Sequence, residues 1–213
     1  MEGYTTDKEN LHIFRGELAL ALAVIINSFG VVLMLYSGAG ISAISSVPHA
    51  FSEVIPKVSL GTWTYIFQGL LVLSLMILRK KFVSQYLFSF VVGFIFSELL
   101  DVHKLWIDVL PTDLGWCVLY FAVSYFLLCI GIALSNRCKL PLSEIINVLY
   151  SKVKIIFDVT CLAVTAGMTL IFLGRLDGLG IGTVLAAFTM GKTVGIIGNM
   201  MDKKFRFVSF LSK

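Results

Sequence analysis

Residues 178–201, GLGIGTVLAAFTMGKTVGIIGNMM, constrain this chain more than any other stretch. They are apolar, dotted with glycine, and carry a single charge, Lys192, near their middle. The text Ala186-x-x-x-x-Gly191-Lys192-Thr193 also satisfies a loose phosphate-loop pattern, so two incompatible readings compete. A phosphate loop wraps an anion with glycine N–H groups between a strand and a helix N-terminus. Here the inner residues are Ala187, Phe188, Thr189 and Met190, and no acidic strand end for magnesium follows Met201. About twenty apolar residues match instead the ~30 Å hydrocarbon core of a bilayer. The stretch reads as a membrane helix, and Lys192 as an intramembrane charge.

The rest of the chain agrees. With 58% hydrophobic residues among 213, it reads as one polytopic transmembrane domain, 1–213. Apolar spans are expected at about 17–36, 62–78, 86–100, 114–134, 155–173 and 181–201. Helices are the economical solution, because lipid offers backbone groups no partner. Lys and Arg in alternate connections then fix the orientation. Lys8, Arg15, Arg79, Lys80, Lys81, Arg137, Lys139, Lys152, Lys154, Lys203, Lys204, Arg206 and Lys213 fall on one side, against Lys57, Lys104 and Arg175 on the other. Positive charge stays inside, so both termini are expected in the cytoplasm. The first ten residues, MEGYTTDKEN, are polar and do not read as a cleavable signal.

A weak repeat organises these spans. Ser52-Glu53-Val54-Ile55 parallels Ser143-Glu144-Ile145-Ile146, Lys57-Val58 parallels Lys152-Val153, and Phe90–Gly93 parallels Phe188–Gly191. Halves of about 15–107 and 112–204 result, each with three spans. An odd number turns the second copy upside down, an arrangement that places transporter sites between halves. Residues 37–61, SGAGISAISSVPHAFSEVIPKVSLG, are too apolar for a solvated loop and are broken by glycine and proline. They read as a short re-entrant or interfacial helix after the first span, with a counterpart at about 141–151 after the fourth. The expected fold is therefore an all-α membrane protein of six transmembrane helices in two inverted three-helix repeats, with those two short helices.

Several stretches together resemble the YczE/YitT-like family of bacterial integral membrane proteins. They are GAGISAISSVPHAFSEV and LGTWTY (38–65), LRKKF (78–82), KIIFD (154–158), and GIGT with MGK (180–192). The resemblance runs from Arg15 to about Lys204. It implies a small multi-pass protein of the bacterial plasma membrane, and it supplies no substrate and no site residues.

The site residues come from the chemistry alone. A central lysine costs roughly 2.5–3.5 kcal/mol even on the lenient insertion scale, so Lys192 should face a solute, water or a carboxylate. Asp158 and Glu98 are its expected partners if it forms a structural ion pair. Glu53 and Glu144 hold equivalent places in the repeat, and His49 lies one helical turn before Glu53. Ser45 and Ser46 complete the polar side of the same segment. Ala187, Gly191, Gly195 and Gly198 form a small-residue face suited to close helix packing. Cys117, Cys129, Cys138 and Cys161 have no CxxC spacing, and no catalytic pair or triad is spaced across the spans. Neither metal, cofactor, enzymatic activity nor nucleic acid is expected. The expected partners are the lipid bilayer and a small solute, with a homodimer left open. The leading reading is a small secondary transporter or channel for a small polar or anionic solute, with a midplane site around Lys192. The alternative is a membrane scaffold or assembly factor in which Lys192 is structural.

Overall fold

The computed structural model describes residues 12–79, 85–138 and 141–208. Its elements run β1 (His12–Arg15), α1 (Gly16–Tyr36), α2 (Ala43–Val54), α3 (Leu60–Arg79), α4 (Gln85–Lys104), a short 3-10 turn, α5 (Leu114–Arg137), α6 (Pro141–Leu173), α7 (Ile181–Lys204) and β2 (Phe205–Val208). Among the described residues, α1, α5 and α7 are each long and apolar enough to cross a membrane. Shorter apolar stretches occupy Leu60–Ser74 of α3 and Phe157–Leu173 of α6.

Glycine and proline decide where the chain breaks. After α1, Gly38 and Gly40 take positive φ (67° and 100°), which ends the helix and redirects the chain. Ser42 then caps α2, its hydroxyl accepting the Ser45 N–H at 3.4 Å. The expected counterpart of α2 at about 141–151 is not a separate helix. It is the first part of α6, a single helix of 33 residues. The physical reason is local: Pro141 sits at the first helical position, where proline fits, and neither glycine nor proline recurs before Gly167.

Helices in lipid are held by fit rather than by the hydrophobic effect. α1 is the central post, packed on α4 and on α5, while α5 also carries α7. Small residues set the α1–α5 approach. A methyl at Gly30 would come within 3.0 Å of the Leu128 Cγ, and Gly131 lies against the Asn27 side chain. Met34 and Ile41 meet Tyr125, Leu128 and Cys129 of α5 and Ala186 and Met190 of α7 in one buried cluster. α2 packs on α6 and α3, burying Ala43 and Val47 against Cys161.

One element was not anticipated. β1 and β2 pair in parallel, His12 opposite Phe205 through Arg15 opposite Val208. Phe14 stacks edge-on against Phe205 and Phe207, at 5.8 and 5.7 Å between centroids. The described residues are thus all-α except for a two-stranded ribbon that ties residues 12–15 to 205–208.

Candidate functional site

Polar groups gather in two places, at opposite ends of α7. The first begins with two connections that cross each other. The Ile41 N–H donates to the Gly178 carbonyl at 3.0 Å, and the Gly182 N–H donates to the Ala39 carbonyl at 2.8 Å. At the crossing Gly40 and Gly180 leave no room for a side chain. The crossing places Asp177, in the α6–α7 connection, beside α2.

His49 on α2 is 4% exposed, with Nε2 3.2 Å from Asp177 Oδ1. Its Nδ1 is 3.9 Å from Glu53 Oε1, too far for a hydrogen bond, and is buried without a partner. Against an ionised Asp177 the ring nitrogen Nε2 is the donor, since a carboxylate only accepts. Arg175 Nη2 donates to the other Asp177 oxygen at 3.1 Å. Burial alone would raise the Asp177 carboxyl. The hydrogen bond and charge of His49, with Arg175, outweigh it and hold Asp177 below the ordinary aspartate value. Gly178 (φ 70°) is required twice over, because a methyl there would also lie 2.5 Å from the His49 ring.

One turn earlier, the buried Ser46 hydroxyl bonds to Thr165 of α6 at 2.8 Å. Ser45, half-buried, accepts from the Ser42 hydroxyl at 2.9 Å. The structure therefore unites Ser45, Ser46, His49 and Glu53 of the expected site. It adds Asp177, Thr165 and Arg175, which no motif marked. Nearby, Asp101 of α4 accepts the Gly61 N–H at 2.8 Å and the Ser59 hydroxyl at 2.5 Å, capping α3. That cap was also missed.

The second place surrounds the cleft between α5 and α7, about 240 Å³, lined by Ile132, Asn136, Arg137, Met190, Gly191, Val194 and Gly195. The cleft exists because Gly191 and Gly195 have nothing within 4 Å of a would-be Cβ. The expectation that these two glycines pack against a neighbouring helix is thus corrected. The close-packed face of α7 is a neighbouring one, carrying Gly182, Ala186, Met190 and Gly198. Above the cleft the Tyr125 hydroxyl bridges Thr189 and Thr193 at 2.8 and 2.9 Å. Thr193 is thereby a rung between helices, and its whole text motif lies in continuous helix, incompatible with a phosphate loop.

Lys192 is exposed on α7, one residue from the cleft, and forms no ion pair among the described residues. The expected pairs with Asp158 and Glu98 are not formed. Asp158 is half-buried on α6 with a contact of its own, and Glu98 is exposed on α4. The Glu144 side chain lies outside the described residues. Among the described residues no group of three His, Cys, Asp or Glu is placed to hold a metal ion.

A family model described as "Family of unknown function (DUF6198)" matches residues 14–199, and the chain belongs to that family. That description makes no link by name to the YczE/YitT-like group. No curated protein and no solved structure matches the chain.

Proposed function

We propose that this member of the DUF6198 family is a multi-pass protein of a bacterial plasma membrane that moves a small polar or anionic solute, as a secondary transporter or channel. The observation that carries the reading is α2. A chain of apolar helices keeps a twelve-residue, proline-containing helix folded against α6, with a buried imidazole between two carboxylates. Such polar, non-spanning backbone survives at membrane depth where protein buries it or where it lines a watered path. In this reading α1, α3, α4, α5, α6 and α7 are the six spans. The halves are inverted about the α1–α5 contact, in keeping with α1 packing on α4 as α5 packs on α7. The β1–β2 pairing supports termini on one side, and the basic residues favour the cytoplasm for both. His49, Glu53 and Asp177 then stand at the outer mouth. Lys192 offers the charge that meets an anionic group beside the α5–α7 cleft.

The test is electrical. Reconstituted protein on a solid-supported membrane should give solute-dependent currents for some member of a panel of small carboxylates, phosphate and sulfate. Lys192→Ala should abolish them. Silence across the panel from protein that still melts cooperatively would sink the reading. The rival reading, a membrane scaffold, takes its support from the β1–β2 ribbon, where Ile13 is 73% exposed. Two short strands present open edges to which another strand can add.

A further inference from the structure

We infer that Arg137 and Asp202 form a reversible latch closing one end of the α5–α7 cleft, and that Gly198 is the seat on which the latch rests. The inference holds whether or not the chain moves a solute. Arg137 is the last residue of α5, and Asp202 lies in the last turn of α7. Nε and Nη2 of Arg137 each donate to a separate Asp202 oxygen, both at 2.7 Å, the two-pronged geometry that a guanidinium fork favours. Nη1 reaches back to the Ala133 carbonyl at 3.4 Å. The guanidinium occupies the space where Gly198 would carry a Cβ, so any side chain there displaces it. Arg137 is at once a wall of the cleft and the bolt across its end.

The position of the pair gives it leverage. α7 is fastened to α5 at Tyr125, through Thr189 and Thr193, and again at Arg137 through Asp202. Gly195 lies between the fasteners and Gly191 between the two Tyr125 rungs, and their missing side chains leave the hollow. Releasing the far fastener swings the guanidinium off that end of the cleft, while the Tyr125 rungs and the β1–β2 ribbon hold α7 in place. The Asp202 side chain is 51% exposed and the Arg137 side chain 19%, so water and salt reach the pair from the Asp202 side. A pair of demanding geometry, wetted on one side across the mouth of a cleft, can open and reclose.

Thiol labelling of a cleft residue tests this in the full-length protein in detergent. Val194→Cys would be reacted with a maleimide, and the parent's own rate subtracted, since of its four cysteines only Cys117 is more than marginally exposed. Asp202→Asn and Gly198→Ala should each raise the labelling rate roughly two- to five-fold, the factor matching the worth of an exposed pair. High salt should speed labelling of the Val194→Cys protein and leave Val194→Cys/Asp202→Asn unchanged. The salt arm needs no further substitution in the latch, so it stands even if a variant folds poorly. A rate insensitive to salt in the Val194→Cys protein, or a full salt response surviving Asp202→Asn, would overturn the latch.

Discussion

α1 and α7 are alike in length and apolar character and opposites in the fold. Both are apolar helices of similar length, 21 and 24 residues, and both are dotted with small residues. Yet 44% of the α1 span is buried against 28% of α7. α1 is gripped by α4 and α5, with its one mid-helix amide, Asn27, set against Gly131. α7 is held chiefly along the α5 side, and its one mid-helix charge, Lys192, is exposed. Small residues do not by themselves decide whether a helix face packs. What decides is whether a neighbour stands opposite.

The sharpest way to break the comparison is to place the same bulky residue on each helix pair. Gly131→Leu drives a branched side chain into Asn27 at the α1–α5 contact. It should cost roughly 3 kcal/mol, the upper range for overpacking, and cut the yield of folded protein. Gly191→Leu meets nothing within 4 Å and removes a helix-interior glycine, so it should be neutral or up to about 1 kcal/mol stabilising. Thermal melts in detergent read both. A large loss in Gly191→Leu would place a hidden neighbour on the open face of α7 and end the contrast.

The buried hydroxyl pair between α2 and α6 comes next. Ser46→Ala strands the Thr165 hydroxyl at a 0% exposed position and should cost about 1–3 kcal/mol. Thr165→Val leaves the Ser46 hydroxyl donating to the Ala43 carbonyl at 2.7 Å and should cost less. The double change strands neither and should cost less than the sum. Full additivity of the two single losses would mean that the hydroxyls do not depend on each other.

How far the sequence reached can be judged from these same residues. The broken segment at 37–61 was legible because glycine, proline and serine chemistry is local. So was the place of His49 one turn before Glu53, although 3.9 Å separates Nδ1 from the carboxylate. Asp177 was not, because its partner lies 128 residues away and no local pattern announces a crossing of two connections. The phase of α7 was equally hidden. When every face of a helix is apolar, periodicity no longer points to the core, so Gly191 and Gly198 read alike although only Gly198 is covered. The β1–β2 ribbon joins the two ends of the chain through four residues each, too few for an alternation signal. The six-span reading leaned on composition, which finds apolar stretches without fixing how each sits in a membrane. Among the described residues α1, α5 and α7 are both long and apolar enough to cross one.

A smaller effect concerns acid. Asp177 has its carboxyl held low in the folded state, so its interactions stabilise the fold above the ordinary aspartate pKa, near 3.9, and are lost as pH falls through the depressed folded value. The melting temperature of the wild type should exceed that of Asp177→Asn by a steady margin between about pH 5 and 6. The margin should begin to shrink below roughly pH 4 and go on shrinking as the pH falls further. A margin that did not shrink with acid would mean that the amide is harmed by its shape rather than by its missing charge.

The smallest expected effect on stability belongs to the residue that most constrained the sequence. Lys192 is exposed and has no carboxylate partner among the described residues. Its removal strands no charge, unlike the breaking of a buried pair, which costs about 3–5 kcal/mol. Lys192→Ala should therefore melt within about 1 kcal/mol of the wild type, and alanine's better helix propensity offsets part of any loss. Lys192→Met keeps the length without the charge and should behave likewise. Any effect of either variant should appear instead in solute-dependent current. If both variants lost several degrees in the melt, and a carboxylate-to-amide change at Asp158 or Glu98 restored them, Lys192 would be a strut. The open face of α7 would then be closed in the working protein.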